Sequence, residues 1–218
     1  TADENTFVGA DTAQNYTSGG RSTIIGYGLE FPSNTANYQL VIGNAIFGTK
    51  IDGNGTTLST GNIGFFQTNP QAKVHITQAT LGNEVLRTES VATNDDPSER
   101  VFQNRVATTG GGATTIHTFA VPASTTMMIE AKVTARRTGG TSGTAEDSAG
   151  YVIRGTYKNV SGTATLVGAV NADHKAEDQA AWDATFAVSG GNVLVRVTGA
   201  TNNNITWHMT AKVYQLSS

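Results

Sequence analysis

Six residues around position 175 bring together side chains suited to gripping a sugar: Asp173, His174, Lys175, Glu177, Asp178 and Trp182. Carboxylates, an imidazole and an ammonium offer acceptors and donors to hydroxyl groups. An indole adds a flat apolar face that stacks on sugar C–H groups. The segment 171–181 has no apolar alternation and reads as an irregular loop, as does the glycine-rich stretch 137–149. Loops on a rigid scaffold are where binding residues gather. For Trp182, core packing and ligand stacking are both open at this stage. Tyr151, Tyr157 and Tyr214 are further aromatic candidates, whereas Trp207 reads as core.

Catalysis would ask more of the same residues. Glycoside hydrolysis needs two carboxylates facing each other across a sugar. Acids cluster at Glu146-Asp147 and at Asp173, Glu177, Asp178 and Asp183. Neighbours such as 146 and 147 would point to opposite faces of a strand. Solvated loops, or pairing with Arg136, Arg137, Arg154 and Lys175, explain these acids as well. His75, His117, His174 and His208 lie far apart, and no cysteine is present, so disulfides and thiolate metal sites are excluded. His117 and His208 read as lying on polar strand faces. No phosphate-cradling loop, dinucleotide fingerprint or nucleophile elbow occurs. The expectation is a protein without cofactor or metal that is not an enzyme.

The elements holding these residues are strands. Thr alone numbers 34, more than the 14 basic and 17 acidic residues together, alongside 25 Gly, 17 Asn and 4 Pro. That is strand-and-turn composition, and helix-forming runs are missing. In the last stretch Ile205, Trp207, Met209, Ala211 and Val213 alternate with Thr206, His208, Thr210 and Lys212, one face apolar and one polar. Similar alternation runs through 116–121, 127–137, 150–159, 163–170, 182–188 and 192–198. Residues 107–218 therefore read as a jelly-roll-like β-sandwich. A net charge of −3 gives no electrostatic footprint for nucleic acid. No apolar stretch has the length for membrane insertion and no signal peptide opens the chain. The first residue is Thr1, so the sequence reads as a processed or truncated piece.

The N-terminal part repeats. Thr6-Phe7-Val8-Gly9, Thr23-Ile24-Ile25-Gly26 and Leu40-Val41-Ile42-Gly43 place glycines at 9, 26 and 43, two equal steps of 17. Ile46-Phe47-Gly48 and Asn62-Ile63-Gly64 echo the signature. Strands this short must stack on one another, which is the logic of a β-solenoid. One chain supplies a thin core, so three chains pooling their apolar strips is the expected assembly. Residues 1–76 read as a short trimeric β-solenoid shaft. Residues 77–106 read as a neck, with a turn at Thr93-Asn94-Asp95-Asp96-Pro97 and a segment 99–106 that suits a strand or one helical turn.

These residues carry a resemblance. Asn5-Thr6-Phe7-Val8-Gly9-Ala10 and its echoes resemble the head repeats of trimeric autotransporter adhesins and of bacteriophage tail fibres. Asn62-Ile63-Gly64 through Asn69-Pro70-Gln71-Ala72-Lys73-Val74-His75-Ile76 is similar to the junction that ends such repeats, departing from it at Phe65-Phe66-Gln67. Val121-Pro122-Ala123-Ser124-Thr125-Thr126, Ala176-Glu177-Asp178-Gln179 with Trp182, and Asn204-Ile205-Thr206-Trp207-His208 resemble C-terminal modules of phage tail-fibre-like proteins. The resemblance implies a homotrimeric virion tail fibre joined to an upstream fibre or virion segment. Its C-terminal knob would bind a host cell-surface glycan or protein receptor. A bacterial cell-surface location, a polysaccharide-degrading tailspike and a purely architectural fibre are the alternatives.

Overall fold

The computed structural model describes residues 4–54, 56–89 and 97–217. The chain divides into two compact units, Thr1–Ala79 and Thr80–Ser218. The described residues contain strands and no helix, as the composition demands.

The first unit holds β1 (Thr6–Val8), β2 (Thr23–Ile25), β3 (Leu40–Ile42), β4 (Ile46–Thr49), β5 (Asn62–Phe65) and β6 (Val74–Ile76), which lie side by side in chain order in one sheet. β1, β2 and β3 are parallel, and each residue faces the one 17 positions later, Thr6 against Thr23 against Leu40. Side chains repeat that step. The Ser22 amide donates to Asn5 Oδ1 at 2.9 Å and the Gln39 amide donates to Ser22 Oγ at 3.1 Å, so one polar position in each repeat satisfies the backbone of the next. Parallel strands need long crossovers, whereas antiparallel ones join by tight turns. Accordingly the chain reverses through Gly43 and Asn44, both left-handed at φ 57° and 54°, and β4 returns antiparallel to β3.

The repeated glycine has a steric reason at its first position. Gly9 has φ 127°, and a Cβ there would lie 1.8 Å from the Gly26 carbonyl oxygen. At Gly43 a Cβ would meet open space, so only the positive φ selects glycine. One face of this sheet carries Ile24, Val41 and Phe47, which are buried with Leu29 and Phe31. The other face carries a row aligned by strand register: Val8, Ile25, Ile42, Ile46, Phe65 and Ile76, one apolar residue per strand. Val8 is 52% exposed, Ile25 40%, and Phe65 and Ile76 37% each.

The second unit comprises β7 (Glu84–Glu89), β8 (Ser98–Thr108), β9 (Ala113–Ala120), β10 (Thr125–Gly140), β11 (Ser148–Val160), β12 (Thr163–Glu177), β13 (Asp183–Ser189), β14 (Asn192–Thr198) and β15 (Asn203–Ser217). One sheet has the order β12-β11-β10-β15-β8-β7 and the other β13-β14-β9. Every pairing in both is antiparallel. Buried residues of the two sheets, among them Ile129, Val133, Trp207 and Met209 from one and Phe119, Val193 and Val195 from the other, form a single core.

Two expectations change here. The stretch read as a neck, 77–106, contains β7 and most of β8, both members of the six-stranded sheet. β8 is anchored by Phe102, buried opposite Ala211, and charged residues at 99, 100 and 105 hide its alternation in the sequence. Of the turn expected at 93–97, residues 93–96 lie outside the described residues. His117 leaves the polar face: its ring packs 4.3 Å from that of Phe119 and 5.4 Å from that of Phe102, and burial pushes its pKa down. His208 is exposed, as expected.

Candidate functional site

Five of the six residues singled out around position 175 lie near one end of β12, with Asp173 and His174 beside Arg154 and Val152 on the outer face and Lys175 and Glu177 beside the buried Tyr151. β12 extends to Glu177, so residues 171–177 are an edge strand rather than a loop. β12 also carries a bulge where Asn171 pairs with Arg154 but Val167 already pairs with Thr156. Charges and bulges of this kind keep a free sheet edge from pairing with another chain. Asp173 forms an ion pair with Arg154, whose guanidinium holds the carboxyl below its ordinary range. Lys175 Nζ stands 3.3 Å from Glu177 Oε1 and 3.6 Å from Asp183 Oδ1. The hydroxyl of Tyr151 donates to Glu177 Oε2 at 2.8 Å. Burial, reinforced by that carboxylate, raises the Tyr151 phenol far above its usual range. Asp178 Oδ2 accepts from the Ser148 amide at 2.8 Å. Lys175, Glu177 and Asp178 line a shallow depression with Ser148 and Gly150, and His174 is exposed beside Val152.

Trp182 does not join them. It is fully buried, its ring 5.8 Å from that of Trp207, and it cannot stack on a ligand. Its assignment to a binding surface is therefore corrected. Placed just before β13, it plugs the space between the two sheets, a position that a charged upstream segment conceals in the sequence. Trp207 is core, as read from its strand, and donates its indole N–H to Thr108 Oγ1 at 2.8 Å.

The other acids are also partnered. Glu146 and Asp147 lie in a turn rather than on a strand, and they diverge. Glu146 is exposed and pairs with Arg136 at 3.2 Å, whereas Asp147 is buried and accepts from the Thr144 amide and from Gln179 Nε2, both at 2.7 Å. Arg137 caps backbone carbonyls of Gly140 and Ser142 instead of an acid. No group of three or more potential metal ligands occurs among the described residues.

Of the remaining aromatic candidates, Tyr151 and Tyr157 are 3% and 1% exposed, and burial pushes the Tyr157 phenol up to about 12. Tyr214 is different. On the face of the six-stranded sheet turned away from the core it stands opposite Met128 on β10 and Glu99 on β8. There it lines an open groove of about 480 Å³ with Leu216, Pro97, Thr126 and Gln215. Sequence pattern named Tyr214 as a candidate but gave no signal for its neighbours, because Met128 and Leu216 occupy positions that alternation assigns to the polar face.

No family model matches the chain, and no curated protein matches it in sequence. Among solved structures it is similar to three phage tailspikes. The tailspike protein of Acinetobacter baumannii phage AM24 matches at 10% identity and TM-score 0.35, over 52% of this chain and 26% of that one. Tailspike gp49 of Acinetobacter baumannii bacteriophage Fri1, described as a capsular polysaccharide depolymerase, matches at 9% identity and TM-score 0.38, over 99% of this chain and 36% of that one. The tailspike of Acinetobacter phage vB_ApiP_P1 matches at 15% and 0.33, over 94% and 37%. The chain thus spans about a quarter to somewhat over a third of their lengths. One of these neighbours bears the name of an enzyme, and that finding overturns the expectation that this chain is not one.

Proposed function

We propose that this chain is part of a phage tail protein that assembles as a homotrimer on its N-terminal unit and engages host surface polysaccharide with its C-terminal unit. The observation that carries the reading is the apolar row Val8, Ile25, Ile42, Ile46, Phe65 and Ile76. Six strands at about 4.8 Å spacing make it roughly 24 Å long, and it lies on the sheet face opposite the unit's own buried cluster. Contiguous exposed apolar surface of this extent marks an interaction face. A second and third copy carry the same row at the same strand spacing, so they match it along its whole length.

On this reading the stacked rungs are a short β-solenoid shaft and the second unit is the knob. Three knobs on one shaft raise the effective concentration of each binding surface, so weak individual contacts with a repeating polymer suffice. The partnered acids on β12 and the groove at Tyr214 are the two surfaces that offer sugar-binding chemistry. Cleavage of the polysaccharide, the activity in the name of the Fri1 neighbour, belongs to the same proposal for the whole protein.

Light scattering tests the assembly. The mass in solution should be about 68 kDa, three times 22.7 kDa, and Ile25→Asp with Phe65→Asp should reduce it to that of one chain. A folded, stable monomer of the unsubstituted protein would refute the proposal. Incubation with purified capsular polysaccharide, followed by viscosity and reducing-end release, then decides whether engagement ends in cleavage.

A further inference from the structure

Four aromatic side chains of the second unit were available to stack on a sugar, and three are consumed by the core. Trp182, Tyr151 and Tyr157 are 0–3% exposed. Tyr214 remains, and its groove of about 480 Å³ falls in the ~300–1,000 Å³ range of small-molecule sites. Beside it Met128 is 39% and Leu216 51% exposed, large apolar side chains on the outer face of the sheet. Such a patch rimmed by polar groups marks a binding site.

The rim is neutral yet holds an acceptor. Glu99 takes the ammonium of Lys212 at 2.8 Å. An ionised carboxylate has about four acceptor positions, so Glu99 retains capacity for a ligand's N–H or O–H.

We propose that this groove binds an uncharged acetamido sugar unit of a surface polysaccharide. The sugar ring lies on Tyr214, the acetyl methyl group packs against Met128 and Leu216, and the amide N–H donates to Glu99. A uronic acid would bring a second carboxylate beside Glu99. A fully hydroxylated hexose would leave the apolar wall without a partner and its own hydroxyls unpaired there. The inference rests on the polysaccharide-binding reading above and narrows it to one groove and one class of sugar.

The test is binding of the full chain to immobilised oligomers of N-acetylglucosamine and N-acetylgalactosamine, with glucose and glucuronic acid oligomers as controls, alongside attachment to encapsulated host cells. Acetamido oligomers should bind best. Tyr214→Ala and Leu216→Asn should each weaken them about tenfold, with Tyr214→Phe close to the parent; circular dichroism and light scattering verify fold and mass. If acetamido oligomers bind and both substitutions leave them unchanged, the groove is the wrong site and the polysaccharide reading survives. Equal binding of glucose or glucuronic acid oligomers overturns the choice of sugar. A substitution that splits the assembly instead makes the groove an interface between copies. If no oligomer binds while cells are still attached, the acetamido proposal alone falls; if attachment is also missing, the polysaccharide reading falls with it.

Discussion

The two units solve the same problem, burying apolar strand residues, with very different resources. Among the described residues the N-terminal unit gathers five buried residues around Ile24 and Val41, whereas the C-terminal unit gathers twenty-three between two sheets. The first relies on contacts between repeats: Asn5 to Ser22, Ser22 to Gln39, Gly9 against Gly26. The second relies on pairings of long sequence separation, such as Trp207 with Thr108 and Phe102 with Ala211. A unit with five core residues must find further burial outside itself. A unit with twenty-three can leave part of its outer face free for a ligand. The apolar row of the first unit and the apolar groove of the second therefore call for different occupants, although both are exposed hydrophobic surface on a sheet.

The largest effect should come from the C-terminal core. Trp182→Ala removes a fully buried indole from beside Trp207 and should cost about 3–5 kcal/mol in urea unfolding. The transition assigned to the N-terminal unit should stay in place. An unchanged C-terminal transition would show that the ring is not packed between the sheets.

Next come the repeat glycines, which separate steric from conformational demand. Gly9→Ala forces a Cβ to 1.8 Å from the Gly26 oxygen and must open the rung. Gly43→Ala meets no atom and carries only the left-handed backbone cost of about 1–2 kcal/mol. Gly9→Ala should therefore lower the melting temperature of the N-terminal unit more than Gly43→Ala does. The reverse order would break the argument from close approach.

The smallest effect is the pH response of His117. Burial among Phe102 and Phe119, beside Asn104, depresses its pKa below the ordinary 6.5. Below 6.5 the unfolded chain takes up a proton that the folded chain refuses, so this residue costs stability as pH falls through that window and nothing above it. The urea midpoint of the C-terminal unit should drop between about pH 7.5 and 5.5, and His117→Phe should flatten part of that drop. An identical slope in the variant would remove His117 from the account.

What the sequence determined by itself follows from period. The 17-residue spacing of Gly9, Gly26 and Gly43 set the register of β1, β2 and β3, because a fixed step lets each strand meet its copy. Alternation in 127–137 and 205–215 marked β10 and β15 and their buried faces, because strand side chains have period two. Asp173, Lys175, Glu177 and Asp178 were legible as a polar group, but that the first three stand on an edge strand was not. Polar residues favour loops and blunted edges alike, and only the pairing of β12 with β11 tells them apart. The tertiary structure alone decided three further matters. It sent Trp182 to the core, since burial depends on which sheet closes over a residue. It joined 84–89 and 98–108 to the large sheet, since charged residues on both faces of these strands mask their pattern. And it left Tyr214 beside Met128 and Leu216, since strands far apart in the chain become neighbours only by antiparallel register.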